Sequence, residues 1–516
     1  MQITLLATSD VHGYITADSF QEPGVKLGQG YSRAISVIEA EREKAPGPVL
    51  YIDNGDFIQG SPLAAYYHDQ ASVDRLISAA NLGQADLAVI GNHEFNYGLE
   101  RLDQAIEAAQ YPILCANILR NGQPLGQPYK IYDFDHVKIG VLGLTTAYIP
   151  HWEQAENIVG LSFQSALEAA QKWVPHLKNN LACDLVVISY HGGFERDLET
   201  DQKSEEDTGE NEGWKLLNSA LPIDALITGH QHRQIAGVKN GIPTIQPGSR
   251  GEFVGKITLE VEDKQVKDAQ AELLVTADSP ESDTISNSFQ DEMNQVNIWL
   301  DQVLGGAESD FRVNNIASAQ INDHPFAQLL NQIACQYMNN DVSATVFFGP
   351  DVKGFHGQIR RRDVLNNYPF PNTLVNVRLK GSELRDILEK NAAYFDLDDQ
   401  GQVVISEDEL RPKMRVYNFD FYYGIHYNMD ISQAIGQRIG EIKKDDQTIG
   451  PDDEITVTVN NYRAVGGGDF PHFSMDKAVT ADSTTMPNLI MDYIEKENQI
   501  NLNFTPHYHV YGCQDK

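Results

Sequence analysis

Seven side chains of metal-binding type stand at the ends of short apolar runs in this chain. Asp10 and His12 follow the run at residues 3–7, Asp56 follows 49–52, and Asn92 follows 87–90. His191 closes the run at 185–188, and His230 and His232 follow 225–227. Short runs rich in Val and Ile read as buried strands. Ligands at the ends of several such strands converge on one edge of a sheet, the carboxyl edge where open α/β sheets bind their ligands. Carboxylate, amide and imidazole donors together suit Mn²⁺, Zn²⁺, Co²⁺, Fe or Mg²⁺ rather than a soft metal. Two such ions, about 3.5–4 Å apart, polarise a phosphoryl oxygen and generate hydroxide from a shared water. The set therefore points to a two-metal hydrolase. Taken singly, an Asp or Asn at a strand end is a turn former or helix cap more often than a ligand. The conjunction of all seven at one sheet edge carries the reading. Asp10 and His12, two residues apart on an extended strand end, are expected to face the same side. Asp56, after Gly55 in a tight turn, can bridge two ions.

The elements that must position these residues alternate apolar runs with amphipathic segments at 32–43, 73–82 and 165–178, which is α/β patterning. Residues 256–261 alternate with period two, as a half-buried antiparallel strand does. Phe289, Met293, Val296, Leu300 and Val303 fall at helical spacing, so residues 287–304 read as a linking helix stopped by Gly305-Gly306. The expected organisation is a catalytic α/β domain over 1–280, a linker helix within 281–309 and a second α/β domain over 310–516. That second domain is expected to hold helices at 326–338 and 382–394 and strands at 373–379 and 454–459. Residues 195–212 are strongly polar and border His191. They read as a solvated surface loop, or more sharply as a mobile lid.

Bulk properties narrow the classes. A chain of 516 residues exceeds one hydrophobic core. A formal charge of −34 repels long nucleic acid and anionic membrane, while a small anionic substrate stays compatible if metal ions neutralise its site. Four widely spaced cysteines form no CxxC pair, which speaks against a disulfide framework or a structural zinc. No basic leader with an apolar core precedes Asp10, and no run is long enough to span a membrane, so the expected location is the cytoplasm. Oligomeric state is left open.

Asp10-Val11-His12, Gly55-Asp56, Gly91-Asn92-His93-Glu94, the lone His191 and Gly229-His230-Gln231-His232 resemble the motifs of the calcineurin-like metallophosphoesterases. Their order is similar to the branch containing 5′-nucleotidases and 2′,3′-cyclic-nucleotide 2′-phosphodiesterases. The resemblance implies a four-layer α/β/β/α catalytic domain and a second, nucleoside-binding domain. It implies Asp10, His12, Asp56 and His232 around one divalent ion, and Asp56, Asn92, His191 and His230 around the other. It implies His93 as the group that stabilises the transition state or protonates the leaving oxygen. One departure bears on substrate. Where 5′-nucleotidases continue with Phe-Asp, this chain reads Phe95-Asn96-Tyr97-Gly98. Asn96 can hydrogen-bond His93 but brings no charge to an imidazolium. Asn-Tyr-Gly is similar to the cyclic-phosphodiesterase branch.

In the second domain, Asn460-Asn461-Tyr462-Arg463-Ala464 followed by Gly466-Gly467-Gly468-Asp469 looks like the family's nucleoside-binding loop. Tyr417, Phe419 and Phe421, read as one face of a strand, either build an ordinary core or include a stacking group. By resemblance Tyr462 is one partner of the base and Tyr417 or Phe419 the other; Asp469, as a carboxylate in the same loop, is expected to accept from ribose hydroxyls. A base stacked on an aromatic gains about 1–3 kcal/mol. The arginine-bearing glycine string usual near the start of this domain is missing. Lys353 or Arg360-Arg361-Arg362 are the candidates to supply the positive charge, the latter reading more readily as a solvated basic turn. The expected substrates are 2′,3′-cyclic nucleotides and 3′-nucleotides. The alternatives are a 5′-nucleotidase also cleaving nucleotide-sugar pyrophosphates, and a non-catalytic nucleotide-binding protein that kept the fold.

Overall fold

A computed structural model describes residues 1–204, 207–411, 414–482 and 484–513. The chain divides into two compact units, Met1–Asn297 and Ile298–Lys516.

In the first unit the apolar runs become strands of two six-stranded sheets. One sheet has Gln2–Thr8, Val49–Asp53, Leu87–Val89 and Ile113–Leu114 in parallel succession, extended by the antiparallel pair Phe253–Glu262 and Gln265–Val275. The other has Val137–Thr145, Leu185–His191, Ala225–Ile227 and Ile242–Pro247 in parallel, flanked by antiparallel Tyr129–Phe134 and Gln234–Lys239. Strand side chains alternate between faces. Ile3, Leu5, Ala7, Leu50 and Ile52 of one sheet therefore share a core with Ile139, Val141, Leu185, Val187 and Ile227 of the other. The opposite faces carry helices. Tyr51 meets Tyr31 of helix Tyr31–Lys44, and Leu142, Val186 and Ile188 meet Ala169, Ala170 and Val174 of helix Ala166–Pro175. These are the four expected layers.

The linking helix spans Asp283–Leu300 and buries Phe289, Met293, Val296 and Leu300. It does not reach Leu304 as expected. Gly305 and Gly306 lie inside strand Val303–Ala307, paired with Gly357–Arg360 and Gln499–Ile500. Backbone of residues 494 and 498 passes so close to Gly305 that a Cβ would collide with it. These glycines are therefore packing positions, not a helix stop.

The second unit centres on a five-stranded sheet ordered Phe421–Tyr423, Ser343–Thr345, Glu454–Asn460, Leu374–Lys380 and Ala478–Asp482. Helices Pro325–Met338, Gly381–Ala392 and Met486–Glu497 supply its core. The aromatic run upstream of Tyr423 is not one strand face. Val416–Asn418 is a 3-10 turn, and only Phe421–Tyr423 is extended. Phe419 has 0 % exposure and packs against Tyr394, Phe395, Phe421 and Tyr508. Its candidacy as a stacking partner is corrected: the turn rotates it into the core. Phe419→Ala is expected to cost about 3–5 kcal/mol of stability, read as a lower denaturant midpoint. Unchanged stability with weakened nucleoside binding would return Phe419 to the ligand site.

Candidate metal centre

The parallel strands end just short of the candidate ligands, except that His191 is itself the last residue of its strand. Beyond Thr8, Asp53 and Ile227 the backbone turns sharply, with positive φ at Asp10, His12, Asp56, His230 and His232. This corrects the reason given for Asp10 and His12, which converge through left-handed turns and not along an extended strand. Such conformations cost energy in non-glycine residues and concentrate at functional sites. The turns are laced together: Asp10 N–H donates to Gly55 O and His12 N–H to Asp56 O, at 2.9 and 2.8 Å. Glu94, buried, accepts from the backbone N–H groups of Asp56, Phe57 and Gly91 at 2.9, 2.6 and 2.7 Å. A Cβ on Gly91 would run into Asp56.

Two groups of donors result. Asp10, His12 and His232 form one, with His12 Nε2 and His232 Nε2 3.0 Å apart and His232 Nε2 3.4 Å from Asp10 Oδ1. Asp56, His191 and His230 form the other. There His191 Nε2 lies 3.1 Å from both Asp56 Oδ2 and Asn92 Oδ1, and His230 Nδ1 lies 2.8 Å from Asn92 Oδ1. The imidazoles are braced from behind. His12 Nδ1 faces Gln59 O at 2.9 Å, His191 Nδ1 faces Asn54 O at 2.6 Å, and His230 Nε2 faces Glu210 Oε1 at 2.9 Å. That is how ligating histidines are held, one nitrogen on an acceptor and the other turned inward. Asp56 Oδ2 is buried and, although His191 is near, receives no well-aligned hydrogen bond. An acceptor left in that state among inward nitrogens fits a divalent cation.

The electrostatics agree. Burial, then the neighbouring His232, pull His12 down to about 3, which keeps the imidazole neutral as a ligand would have to be. Burial also opposes charge on His191, but the carboxylates of Asp56 and Asp10 outweigh it and hold that histidine up at about 10. Burial would raise Asp56, yet His191 and His93 keep it well below the usual carboxylate range. His93 opens a 3-10 turn beside it, its ring 5.3 Å from that of His12 and its Nδ1 2.6 Å from Asn96 Oδ1.

Residues 3–234 match the calcineurin-like phosphoesterase model, and residues 303–475 match the 5′-nucleotidase, C-terminal domain. A Staphylococcus aureus structure named as a candidate 5′-nucleotidase is 35% identical, with a TM-score of 0.93 over 99% of this chain and 100% of that one. The chain belongs to the calcineurin-like phosphoesterases with a 5′-nucleotidase C-terminal domain. Within that family it is 28% identical to the trifunctional nucleotide phosphoesterase protein YfkN of Bacillus subtilis, over 97% of this chain but 38% of YfkN. It is also 28% identical to a 2′,3′-cyclic-nucleotide 2′-phosphodiesterase/3′-nucleotidase of Yersinia enterocolitica, over 90% of this chain and 81% of that one.

Family motifs in the second unit surround a residue that the sequence reading passed over. Arg463, 2 % exposed, donates to Asp420 Oδ1 at 2.8 Å, to Tyr417 O at 2.9 Å and to Gly467 O, and lies over the Phe470 ring. One guanidinium thus ties the Tyr417 turn to the glycine loop. Tyr462 lies against Gly467, where a Cβ would strike its ring, and Asp469 is exposed. Arg362 and Arg360 pair with Asp301, and Arg361 covers Trp299. The triple-arginine cluster is therefore structural. Lys353 is exposed.

The polar segment 195–212 is anchored at both ends. Glu195 accepts from Trp214 and Lys215 N–H, and Glu212 caps helix Ala166–Pro175. Among its described residues the exposed ones lie between these anchors, and Glu205 and Glu206 lie outside the described residues. All four cysteines are free, and among the described residues no helix is long and apolar enough to cross a membrane. Glu210→Gln is expected to weaken metal retention by roughly 10–100-fold, measured by equilibrium dialysis with metal analysis. Unchanged retention would remove Glu210 from the support of His230.

Proposed function

We propose that this chain is a two-metal phosphoesterase that hydrolyses 2′,3′-cyclic nucleotides and 3′-nucleotides. Asp10, His12, Asp56 and His232 would hold one ion, and Asp56, Asn92, His191 and His230 the other. When bound, such ions supply Lewis acidity to the phosphoryl group and acidify water for in-line attack. Asn92 and His191 share the second group with Asp56, so each buried donor has an inward atom for the cation. His93 donates Nδ1–H to Asn96 Oδ1, so Nε2 on the far side of the ring can take a second proton, and the ring so protonated would hydrogen-bond a phosphoryl oxygen or protonate the leaving oxygen through Nε2–H. In the second unit Tyr462 and Tyr417 are the proposed base-stacking groups, with Asp469 for the ribose.

The observation that carries the substrate reading is Asn96 at the position behind His93. The name of the Yersinia relative supports it. A second reading, 5′-nucleotidase, is favoured by the name of the Staphylococcus aureus structure. Parallel assays with Mn²⁺ against 2′,3′-cAMP, 3′-AMP, 5′-AMP and UDP-glucose, with products resolved by chromatography, separate the two. Turnover of the first pair above the others supports the proposal, and preference for 5′-AMP or UDP-glucose overturns it. His93→Ala is expected to lower kcat by about 10²–10⁴-fold with metal content unchanged. Full activity would take His93 out of the mechanism.

A further inference from the structure

Asn96 leaves His93 with a problem that an aspartate would not. A carboxylate only accepts, so it fixes the histidine it touches as the Nδ1–H tautomer. An amide presents either an oxygen or an NH₂ group, and each face demands the opposite tautomer. Something must decide which end of Asn96 faces His93.

Glu153 does so by geometry. Asn96 Nδ2 donates to Glu153 Oε2 at 2.7 Å, across 57 residues of sequence. A carboxylate there accepts and cannot donate, so the NH₂ end points away from His93 and Oδ1 faces its Nδ1 at 2.6 Å. Glu153 is itself held. Its Oε1 accepts from the backbone N–H of Gln154 and from Asn157 Nδ2, both at 2.8 Å, and Asn157 also donates to Asn96 O at 3.2 Å. The loop carrying Glu153 packs Ile149 and Trp152 into the apolar cluster that contains Phe95, the last residue of the His93 turn. The carboxylate and the histidine thus share one rigid support. The Trp152 ring also lies 5.3 Å from that of His230.

We infer that Glu153 is a positioning residue for His93, acting through Asn96 to fix the orientation of the amide and hence the tautomer of the imidazole. The inference rests on the reading of His93 as a catalytic group. It means that the carboxylate an aspartate would place at position 96 stands one hydrogen bond further out, while Asn96 Oδ1 keeps the acceptor contact with His93.

The test is a pair of exchanges. In Glu153→Gln, the backbone N–H of Gln154 keeps the side-chain oxygen, so the new NH₂ group turns to Asn96. Asn96 must then flip and offer NH₂ to His93, which makes Nδ1 an acceptor, so the ring can no longer donate from both nitrogens and has no proton to hand over at Nε2 without losing its last one. Expected is a fall in kcat of about tenfold or more, with KM within about twofold and metal content unchanged. Adding Asn96→Asp to that variant puts an acceptor between the new amide at position 153 and His93, and is expected to restore kcat to within about threefold of the parent. A second readout does not need activity: ¹⁵N spectra of ring-labelled metal-free protein, with the His93 signals assigned by their loss in His93→Ala, should move from the Nδ1–H to the Nε2–H pattern in Glu153→Gln and return in the double variant. Activity of Glu153→Gln within twofold of the parent, an unchanged tautomer, or no rescue by Asn96→Asp would each overturn the inference. If His93→Ala is fully active, the catalytic reading itself fails. If that variant is inactive while Glu153→Gln is not, only the role of Glu153 fails.

Discussion

Glu94 is the carboxylate on which the centre depends. It sits behind the candidate ligands, and it gathers the N–H groups of Asp56, Phe57 and Gly91 onto two oxygens. Hydrogen bonds to a charged acceptor contribute roughly 1.5–3 kcal/mol each, and here they join the turns after two neighbouring strands. Burial, followed by the nearby Asp56, raises the pKa of Glu94, so the arrangement stores electrostatic cost at the sheet edge. The N–H groups and His191 offset that cost. With those turns fixed, Asp56 can meet His191 from the opposite sheet, and the two halves of the centre become one constellation.

The facing sheets explain why so much of this was legible in the sequence. Ile3, Leu5, Val187 and Ile227 belong to runs apolar enough to be read as strands without tertiary knowledge, but the candidate ligands placed after them stand at the carboxyl ends of two facing sheets and not, as expected, at one edge of a single sheet. The motifs reinforced the pattern and gave the family. Local mechanism was less legible. Asp10 and His12 were expected to share a side because strands alternate, and they do converge, but through turns that no alternation rule describes.

The misreadings have specific causes. Phe419, Phe421 and Tyr422 are all buried, so aromatic density did not separate a strand face from a turn feeding a core. Gly305 and Gly306 read as a stop because glycine ends helices, whereas here the chain needs glycine for close packing. Glu210, Glu153 and Arg463 act through contacts whose partners are distant in sequence or are backbone atoms. Acidic residues in a polar loop, or an arginine among glycines, give no periodic signal of that kind.

The left-handed turns have a further consequence for altering the metal preference of such a site. Asp, Asn and His are the non-glycine residues that most readily enter that region, and they are also the hard and borderline donors that divalent cations select. Conformation and coordination therefore choose the same short alphabet at Asp10, His12, Asp56, His230 and His232. Re-specifying the ion by exchange within that alphabet leaves the backbone undisturbed. Importing a thiolate or a longer carboxylate asks the turn itself to be rebuilt, so engineering routes toward softer metals run through the loops before they reach the ligands.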